Sequence, residues 1–399
     1  MSTVLAARTV CCAAALVVLI AAGPLASPAA AATLSTGFQN AADEGYEGVP
    51  YALLTTAPGS RAEVSVRRIA AGWRFSDASA PLAIAPDARC SPFDDTTGPA
   101  ALCAVDKVVL RGAEGDDVLR ADADGGHYDD ARVDLSGGGG DDAITAGPED
   151  DRVTVTAGHD TIDAGAGQDE LVVGYPGTST VDLVAGTATA ATGSATLRGI
   201  EVVTGLRSTI VGDDGPNTLI TNVRADGGGG DDVLEGDGTL RGGNGNDRIT
   251  GAESLFGDAG NDTIVVEPVR RVFADAPDPR ISCGPGTDVV AVATGDLRIA
   301  SDCERLATGN AVVRPTPIRT AGGRAVIVSL RCAPCRGTLR LRTGRGLGAS
   351  VRYAVKAGRR ALRLPVPRGI RIRAGALVAV TMRAHAAERG PVVWRTTVR

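Results

Sequence analysis

The sequence predicts an all-β protein, a parallel β-solenoid (β-roll) with capping segments, followed by a small C-terminal immunoglobulin-like β-sandwich. Three observations carry this prediction. Acidic residues recur at fixed intervals, and an aliphatic residue follows two positions after each of them. The chain holds 53 Gly, whereas its aromatic content of 3% is too low for a core with large aromatic anchors. After residue 310, twenty basic residues accompany a single acidic one, although the whole chain has a net charge of -6.

The first predicted element is a secretory signal peptide, residues 1–32. Arg8 is the one charged residue before an apolar run from Val10 to Ala22, and small residues follow. This run is too short to span a bilayer, and it lacks the helical stripe of a buried core helix. The sequence therefore predicts an exported protein without a transmembrane segment, either secreted into the extracellular space or held at the cell surface.

Six cysteines remain after the predicted signal peptide. An even number in an exported chain favours disulfide bonds. The economical pairing joins sequence neighbours, namely Cys90 with Cys103, Cys283 with Cys303, and Cys332 with Cys335. A redox-active pair or half of a zinc site is the alternative for the last two, but a second pair and a nearby His are missing.

Residues 33–105 are predicted to form an N-terminal β cap. Short strand-like segments occur at 51–55, 62–68 and 72–76. The end of a solenoid exposes strand edges that need covering, and these segments would cover one end.

A nine-residue repeat opens the predicted solenoid, residues 106–266. One column of the repeat is acidic: Asp142, Asp151, Asp160 and Asp169. The other column is aliphatic: Ile144, Val153, Ile162 and Leu171. Two repeats make one coil of 18 residues, so Asp142 should stack on Asp160 and Asp151 on Asp169.

A second block has a period of 15 residues. Its polar column is Asn217, Asp232, Asp247 and Asp262, and its aliphatic columns are Leu219, Leu234, Ile249, Ile264 and Ile210, Ala225, Leu240, Leu255. Coils of fixed length pair about 4.8 Å apart as parallel strands, with the aliphatic columns inside. Asp247 should then be internal, and Asp262 should be the last acid of its series.

The turns carry the chemistry of the predicted solenoid. Glycines at the corners suit turns with positive φ. The Gly-rich loops end in acids, which would repel a phosphate, and stacked aspartates repel one another unless a cation lies between them. Carboxylates together with turn carbonyls form an all-oxygen environment that suits Ca²⁺. The alternative is that the aspartates only form Asx turns.

The best copies of the repeat lie at residues 137–145, 227–235 and 242–250, and they read Gly-Gly-x-Gly-x-Asp-x-aliphatic-x. This pattern resembles the RTX, or hemolysin-type calcium-binding, repeat family. The resemblance covers residues 106–266 and implies that acidic side chains and glycine carbonyls of stacked turns bind calcium. The implied metal residues are Asp117, Gly138, Gly140, Asp142, Asp151, Gly158, Asp160, Gly167, Asp169, Gly228, Gly230, Asp232, Gly243, Gly245, Asp247, Gly260 and Asp262. Glu149, Val155–Thr156 and Asn217 depart from the pattern, which weakens their turns.

Residues 267–312 are predicted to form an exit cap. The segment 283–288 imitates the repeat, and Cys303 would staple it. A Pro-rich linker then leads into the predicted sandwich, residues 313–399, in which arginine alternates with aliphatic residues at 339–342 and 370–373.

The basic outer face of this predicted sandwich has two interpretations. It is either a solvated surface or a binding surface for an anionic cell-envelope polymer, a glycan or the acidic solenoid itself. Nucleic acid is a poor partner because aromatic residues are scarce and the protein is exported.

An enzyme is not indicated by the sequence. The three histidines, His127, His159 and His385, are dispersed, and no hydrolase, metalloprotease or phosphate-loop motif occurs. The sequence favours a secreted calcium-binding repeat protein that acts as a calcium-stabilised structural or adhesive module at the cell surface. The alternative is a β-solenoid hydrolase acting on polysaccharide, which an aromatic-lined groove with two unmatched acids would favour.

Overall fold

The chain is represented by a computed structural model. It describes residues 32–38, 50–85, 89–95, 98–105, 107–123, 132–267, 280–292, 295–299, 302–308, 311–313, 319–320, 325–332, 335–343, 348–355, 358–366, 372, 377–384 and 392–397. Over these residues the chain forms strands and turns, without a helix. The all-β prediction is confirmed, whereas the predicted signal peptide lies outside the described residues apart from Ala32.

Seven strands precede the repeats. They are β1 (Thr33–Phe38), β2 (Pro50–Thr55), β3 (Glu63–Ile69), β4 (Gly72–Asp77), β5 (Ala83–Ile84), β6 (Cys90–Asp95) and β7 (Gly98–Cys103). Strands β1 and β2 pair antiparallel, and β3, β4, β7 and β6 form a second antiparallel series. Trp73 and Phe75 of β4 are buried and give this segment an aromatic core.

A first stack of parallel strands runs along the solenoid, one strand per coil. It comprises β8 (Lys107–Arg111), β10 (Val133–Ser136), β12 (Arg152–Val155), β14 (Glu170–Val173), β18 (Val202–Thr204), β20 (Thr218–Ile220), β22 (Val233–Gly236), β24 (Arg248–Gly251), β26 (Thr263–Val266), β28 (Val289–Val292) and β30 (Arg305–Thr308). Each strand pairs in parallel with the next.

A second parallel stack faces the first across the core. Its strands are β9 (Val118–Ala123), β11 (Ala143–Thr145), β13 (Gly158–Asp163), β15 (Ser179–Asp182), β17 (Gly193–Arg198), β19 (Ser208–Val211), β21 (Arg224–Gly229), β23 (Thr239–Asn244), β25 (Ser254–Ala259), β27 (Arg280–Ser282) and β29 (Gly295–Ile299). Strand β16 (Thr187–Ala190) pairs antiparallel with both β15 and β17, so an inserted hairpin divides this stack in two.

The aliphatic columns form the solenoid core in the predicted register. Leu219, Leu234, Ile249 and Ile264 lie opposite one another in successive coils, and so do Ile144 and Ile162. Their side chains are buried, and each buried aliphatic side chain stabilises the fold by about 1.5–3 kcal/mol relative to an exposed one. The periodic part of the solenoid prediction is therefore confirmed.

Parallel stacking continues on both sides of the predicted solenoid. Strand β2 pairs in parallel with β8, and β3 with β9, so residues 50–69 form a coil within the segment predicted as a cap. Strands β27 to β30 continue both stacks beyond residue 266.

Two of the three predicted disulfides are present. Cys90 bonds to Cys103 between β6 and β7, and Cys283 bonds to Cys303 at the far end of the solenoid. The third predicted pair, Cys332 with Cys335, lies outside the described side chains and stays a prediction.

The C-terminal strands are antiparallel among themselves. They are β31 (Ala311–Val313), β32 (Arg319–Thr320), β33 (Ala325–Cys332), β34 (Cys335–Thr343), β35 (Gly348–Val355), β36 (Gly358–Pro365), β37 (Leu377–Ala384) and β38 (Val392–Thr397). One group contains β31, β32, β33 and β36, and the other has the order β35, β34, β37, β38. Buried side chains from both groups share one hydrophobic cluster. The immunoglobulin-like topology stays a prediction.

Candidate metal centre

Each turn of the second block ends in a buried polar residue that is hydrogen-bonded to the next coil. The Asn217 amide donates to Asp232 Oδ1 (2.8 Å), the Asp232 amide to Asp247 Oδ1 (2.9 Å), and the Asp247 amide to Asp262 Oδ1 (2.9 Å). The side chains thus form a continuous column with one carboxylate per coil, directly before the strands of the first stack.

The nine-residue block builds two such columns, because each coil contains two turns. The Asp142 amide donates to Asp160 Oδ1 (3.2 Å), and the Asp151 amide donates to Asp169 Oδ1 (2.8 Å). The predicted stacking of alternate repeats, 18 residues apart, is confirmed by these bonds.

The second oxygen of most of these carboxylates has no hydrogen-bond donor. This holds for Oδ2 of Asp142, Asp169, Asp232, Asp247 and Asp262. The five residues are at most 2% exposed. A buried acceptor without a donor destabilises a fold by about 1–3 kcal/mol, and more when it is charged. A cation bound at these oxygens would remove this destabilisation.

The first glycine of each turn makes room for the carboxylate. A Cβ atom at Gly137 would overlap Asp142 Oδ2, and a Cβ at Gly242 would overlap Asp247 Oδ2. Gly227 and Gly257 stand in the same relation to Asp232 and Asp262. In these four turns the unpartnered oxygen therefore folds back over the start of its own turn, where glycine leaves room for it. Ala164 holds the equivalent position before Asp169, so glycine is favourable there but not obligatory.

The nine predicted glycines all have positive φ: Gly138, Gly140, Gly158, Gly167, Gly228, Gly230, Gly243, Gly245 and Gly260. They also stack closely on the coil before. A Cβ at Gly158 would overlap the Gly140 carbonyl oxygen, and a Cβ at Gly245 would overlap that of Gly230. Turn carbonyls thus form columns beside the aspartates, where any other residue would separate the coils.

This geometry offers oxygen ligands from the backbone and the side chain together. No group of three or more His, Cys, Asp or Glu side chains converges on one point within the described residues. A metal in these turns would therefore take one carboxylate oxygen from a turn and complete its shell with carbonyls. Ca²⁺ accepts six to eight oxygen ligands of this mixed kind, so the residues fit this ion.

Burial makes these carboxyl groups weaker acids than usual. Desolvation raises the pKa of Asp142, Asp169 and Asp232 to about 7, and neighbouring carboxylates raise it further against the lowering effect of the backbone hydrogen bond. The pKa of Asp160 and that of Asp247 rise to about 6 for the same first cause. A divalent cation would favour the charged form of each carboxyl and reverse these shifts.

Three members of the predicted set differ from the rest. Asp117 accepts hydrogen bonds at both oxygens, from the Ala62 amide at Oδ1 (2.7 Å) and the Thr56 hydroxyl at Oδ2 (3.0 Å). Asp151 accepts from amides at both oxygens, and burial raises its pKa to about 6. Asp160 ends its column within the second stack, because Ala195 of β17 occupies the next coil. Asp117 and Asp151 therefore have a hydrogen-bond donor at the second oxygen, which Asp232 and Asp247 lack.

The acid column is longer than the sequence indicates. The Asp169 amide donates to Glu201 Oε2 (3.0 Å), the Asp262 amide to Asp288 Oδ1 (2.8 Å), and the Asp288 amide to Glu304 Oε2 (2.9 Å). The prediction that Asp262 ends its series is wrong. An insertion separates it from Asp288 by 26 residues and hides the period, although the 283–288 turn does imitate the repeat.

A comparison with protein families matches the RTX calcium-binding nonapeptide repeat, in four copies, over residues 135–171 and 235–264. The matched ranges contain the turns that end in Asp142, Asp169, Asp247 and Asp262, whose second carboxylate oxygens have no donor. These residues contain RTX-type calcium-binding nonapeptide repeats. RTX repeats bind Ca²⁺, which agrees with the oxygen-only lining of the turns. No curated protein matches this chain.

Across the part of the chain that the structure describes, there is no helix long and apolar enough to cross a membrane.

Proposed function

We propose that this protein is a secreted RTX-repeat protein that serves as a calcium-stabilised structural or adhesive module at the cell surface, without catalytic activity. The observation that carries the proposal is the stacking of buried carboxylates, of which Asp142, Asp169, Asp232, Asp247 and Asp262 each have an unpartnered oxygen. In the absence of a cation these groups destabilise the stack, and with calcium they link one coil to the next.

The ligand set that we propose follows from the hydrogen bonds. Asp142, Asp169, Asp232, Asp247 and Asp262 supply the carboxylate oxygens. Carbonyls at the glycine positions of the same turns supply the others, from Gly138, Gly140, Gly158, Gly167, Gly228, Gly230, Gly243, Gly245 and Gly260. Asp117, Asp151 and Asp160 contribute to the coil-to-coil bonding and, at most, to weaker sites.

Export is the condition under which such a scaffold functions. Extracellular calcium modules bind with dissociation constants of about 10⁻⁴–10⁻³ M, so their sites fill only where calcium is abundant. The two disulfides also need an oxidising compartment. Together with the predicted signal peptide, these features support folding after secretion.

The C-terminal sheet supports an anionic partner. Arg340 and Arg342 of β34 are exposed, and Arg352 of β35 lies on the same face, because it is opposite Thr338. Leu339 and Leu341 point into the core on the other face. Rows of guanidinium groups suit carboxylates or phosphates repeated along a polymer, so we propose an anionic cell-envelope glycan or polymer as the ligand of this face.

A binding screen tests this function. The mature protein is titrated with an acidic polysaccharide and with a neutral one, in millimolar calcium and in EDTA. We expect salt-sensitive binding to the acidic polymer, lost in the triple variant Arg340→Gln, Arg342→Gln, Arg352→Gln. The matched control changes three exposed arginines of the solenoid region, Arg61, Arg111 and Arg248, to Gln and should bind normally. Equal binding by both variants contradicts the assignment, and release of sugar fragments would favour the hydrolase alternative.

A further inference from the structure

The last turn of the solenoid, residues 283–288, lies outside the matched repeats, which end at residue 264. Its sequence, Cys-Gly-Pro-Gly-Thr-Asp, lacks the first glycine of the pattern. Its backbone nevertheless reproduces the contacts of the turn at 257–262.

The column of buried side chains that runs through Asp232, Asp247 and Asp262 continues through this turn. Asp288 Oδ1 accepts the Asp262 amide (2.8 Å), as Asp262 Oδ1 accepts the Asp247 amide (2.9 Å). Asp288 is fully buried, and its Oδ2 has no hydrogen-bond donor. One coil further on, Glu304 Oε2 accepts the Asp288 amide.

The backbone of the turn stacks in the same way. A Cβ at Gly284, which has a φ of 94°, would overlap the Asp258 carbonyl oxygen, and a Cβ at Gly286 would overlap that of Gly260. The Gly260 amide donates to the Pro285 carbonyl (3.1 Å), as the Gly245 amide donates to the Ala259 carbonyl (2.8 Å). The turn thus brings a carboxylate and carbonyl columns together.

The disulfide bears directly on this turn. Cys283 occupies the position that glycine holds in the turns at 227–232, 242–247 and 257–262, and it bonds to Cys303, the residue before Glu304. Asp302 accepts hydrogen bonds from the Ser282 hydroxyl (2.7 Å) and the Gly284 amide (3.2 Å). The turn between β27 and β28 is therefore tied covalently to the next coil.

We propose that residues 283–288 form a further calcium-binding turn beyond the recognised repeats, and that the Cys283–Cys303 disulfide holds this turn in the binding geometry. The inference rests on the proposed calcium function of the repeats. It assigns to Asp288 the role that Asp262 has one coil earlier. The disulfide positions this turn, in addition to any general stabilisation of the fold.

Calcium stoichiometry tests the turn. Equilibrium dialysis of the mature protein against radioactive calcium should show about one ion fewer per chain for Asp288→Asn than for the native chain. The substitution keeps an oxygen for the Asp262 amide, and Asn217 already occupies this column in the native chain. Asp237→Asn, at an exposed turn, is the matched control and should leave the number unchanged. An unchanged number for Asp288→Asn overturns the inference, whereas a native chain that binds no calcium overturns the proposed function.

Hydrogen exchange of the native chain provides a reading that depends on no variant. Calcium should slow exchange in peptides covering residues 280–292 as well as in those covering 240–264. Slowing confined to 240–264 overturns the inference.

The same peptides test the disulfide. Relative to the native chain, the double variant Cys283→Ala, Cys303→Ala should need about tenfold or more calcium to protect residues 280–292. The double variant Cys90→Ala, Cys103→Ala removes a disulfide at the other end and should need an unchanged concentration. Equal shifts in both variants, or none in either, contradict the positioning role.

Discussion

The aspartates of the buried column, Asp232, Asp247 and Asp262, combine two roles in one side chain. One carboxylate oxygen accepts the amide of the preceding coil, and the other lies buried without a donor. The outer acids differ, because Asp231 is exposed, and its Oδ1 accepts the Asn246 amide at 2.7 Å. Adjacent residues of one turn thus hold the coils together with very different exposure to water.

The first prediction compares these neighbours. Asp232→Asn keeps an acceptor for the Asn217 amide but removes the charge, so calcium binding by its turn should be lost. With calcium at a hundred times the dissociation constant, the unfolding free energy should fall by about 2.7 kcal/mol. Asp231→Asn makes the same chemical change at the exposed position and should alter stability by at most about 0.5 kcal/mol. Calorimetric calcium titration and urea unfolding measure both, and equal losses would show that the register is shifted by one residue.

The second prediction concerns pH. Burial raises the folded pKa of Asp142 and Asp232 to about 7 from 3.8. The folded protein therefore binds more protons than the unfolded chain between these values, and metal-free stability should fall as pH rises from about 4 to 7. Calcium requires the ionised carboxylate, so the calcium-dependent gain should grow over the same range. Urea unfolding at pH 5 and pH 7.5, with and without calcium, measures both slopes, and a metal-free protein more stable at pH 7.5 would contradict the account.

At the scale of one coil, the glycines determine how closely the turns approach. Gly228 and Gly177 have the same φ of 94°, but a Cβ at Gly228 would overlap the Asp213 carbonyl oxygen, whereas the space around Gly177 is open. The pair separates the effect of crowding from that of backbone conformation.

The third prediction uses this pair. Gly177→Ala should cost about 1–2 kcal/mol, the penalty for a side chain at positive φ. Gly228→Ala should cost clearly more and should weaken calcium binding, because the coils must move apart. Thermal unfolding and calcium titration of the two variants measure the difference, and equal destabilisation would show that the close stacking is not required.

The fourth prediction concerns the third pair of cysteines. Cys332 ends β33 and Cys335 begins β34, so a local bridge would close the connection between the two C-terminal strand groups. Non-reducing peptide mapping of the exported protein should recover Cys332 linked to Cys335. A free thiol at either position would contradict the bridge.

At the scale of the whole molecule, the sequence predicts the solenoid wherever the period stays constant. The columns through Leu234, Ile249 and Asp247 follow from a fixed spacing of 15 residues, and the structure places each of them as predicted. Spacing carries the information because parallel coils repeat the same contacts in every turn.

The same reasoning fails where insertions change the coil length. Glu201 and Asp288 are separated by 32 and 26 residues from the acids they stack on, so no period reveals them. The coil at residues 50–69 lacks the repeat pattern altogether, although its strands pair in parallel with those of the next coil. Which carboxylate oxygens lack a donor also depends on contacts such as that from Thr56 to Asp117, which join residues far apart in sequence.

Calcium binding should couple the folding of neighbouring coils along the solenoid. Under the proposed function an ion bound in one turn would order the turns stacked on it, and each coil contacts only its neighbours, so binding at one turn should favour binding at the next. Folding of the repeats should therefore be cooperative in calcium, at concentrations near 10⁻⁴–10⁻³ M.

The most direct test of this account is the folding of the mature protein with and without calcium at neutral pH. Circular dichroism and thermal unfolding are recorded in EDTA and again in millimolar calcium, with magnesium at the same concentration as the control. The account predicts a calcium-specific gain of β signal and a higher melting temperature. A β signal and melting temperature that are the same in EDTA and in calcium would contradict it.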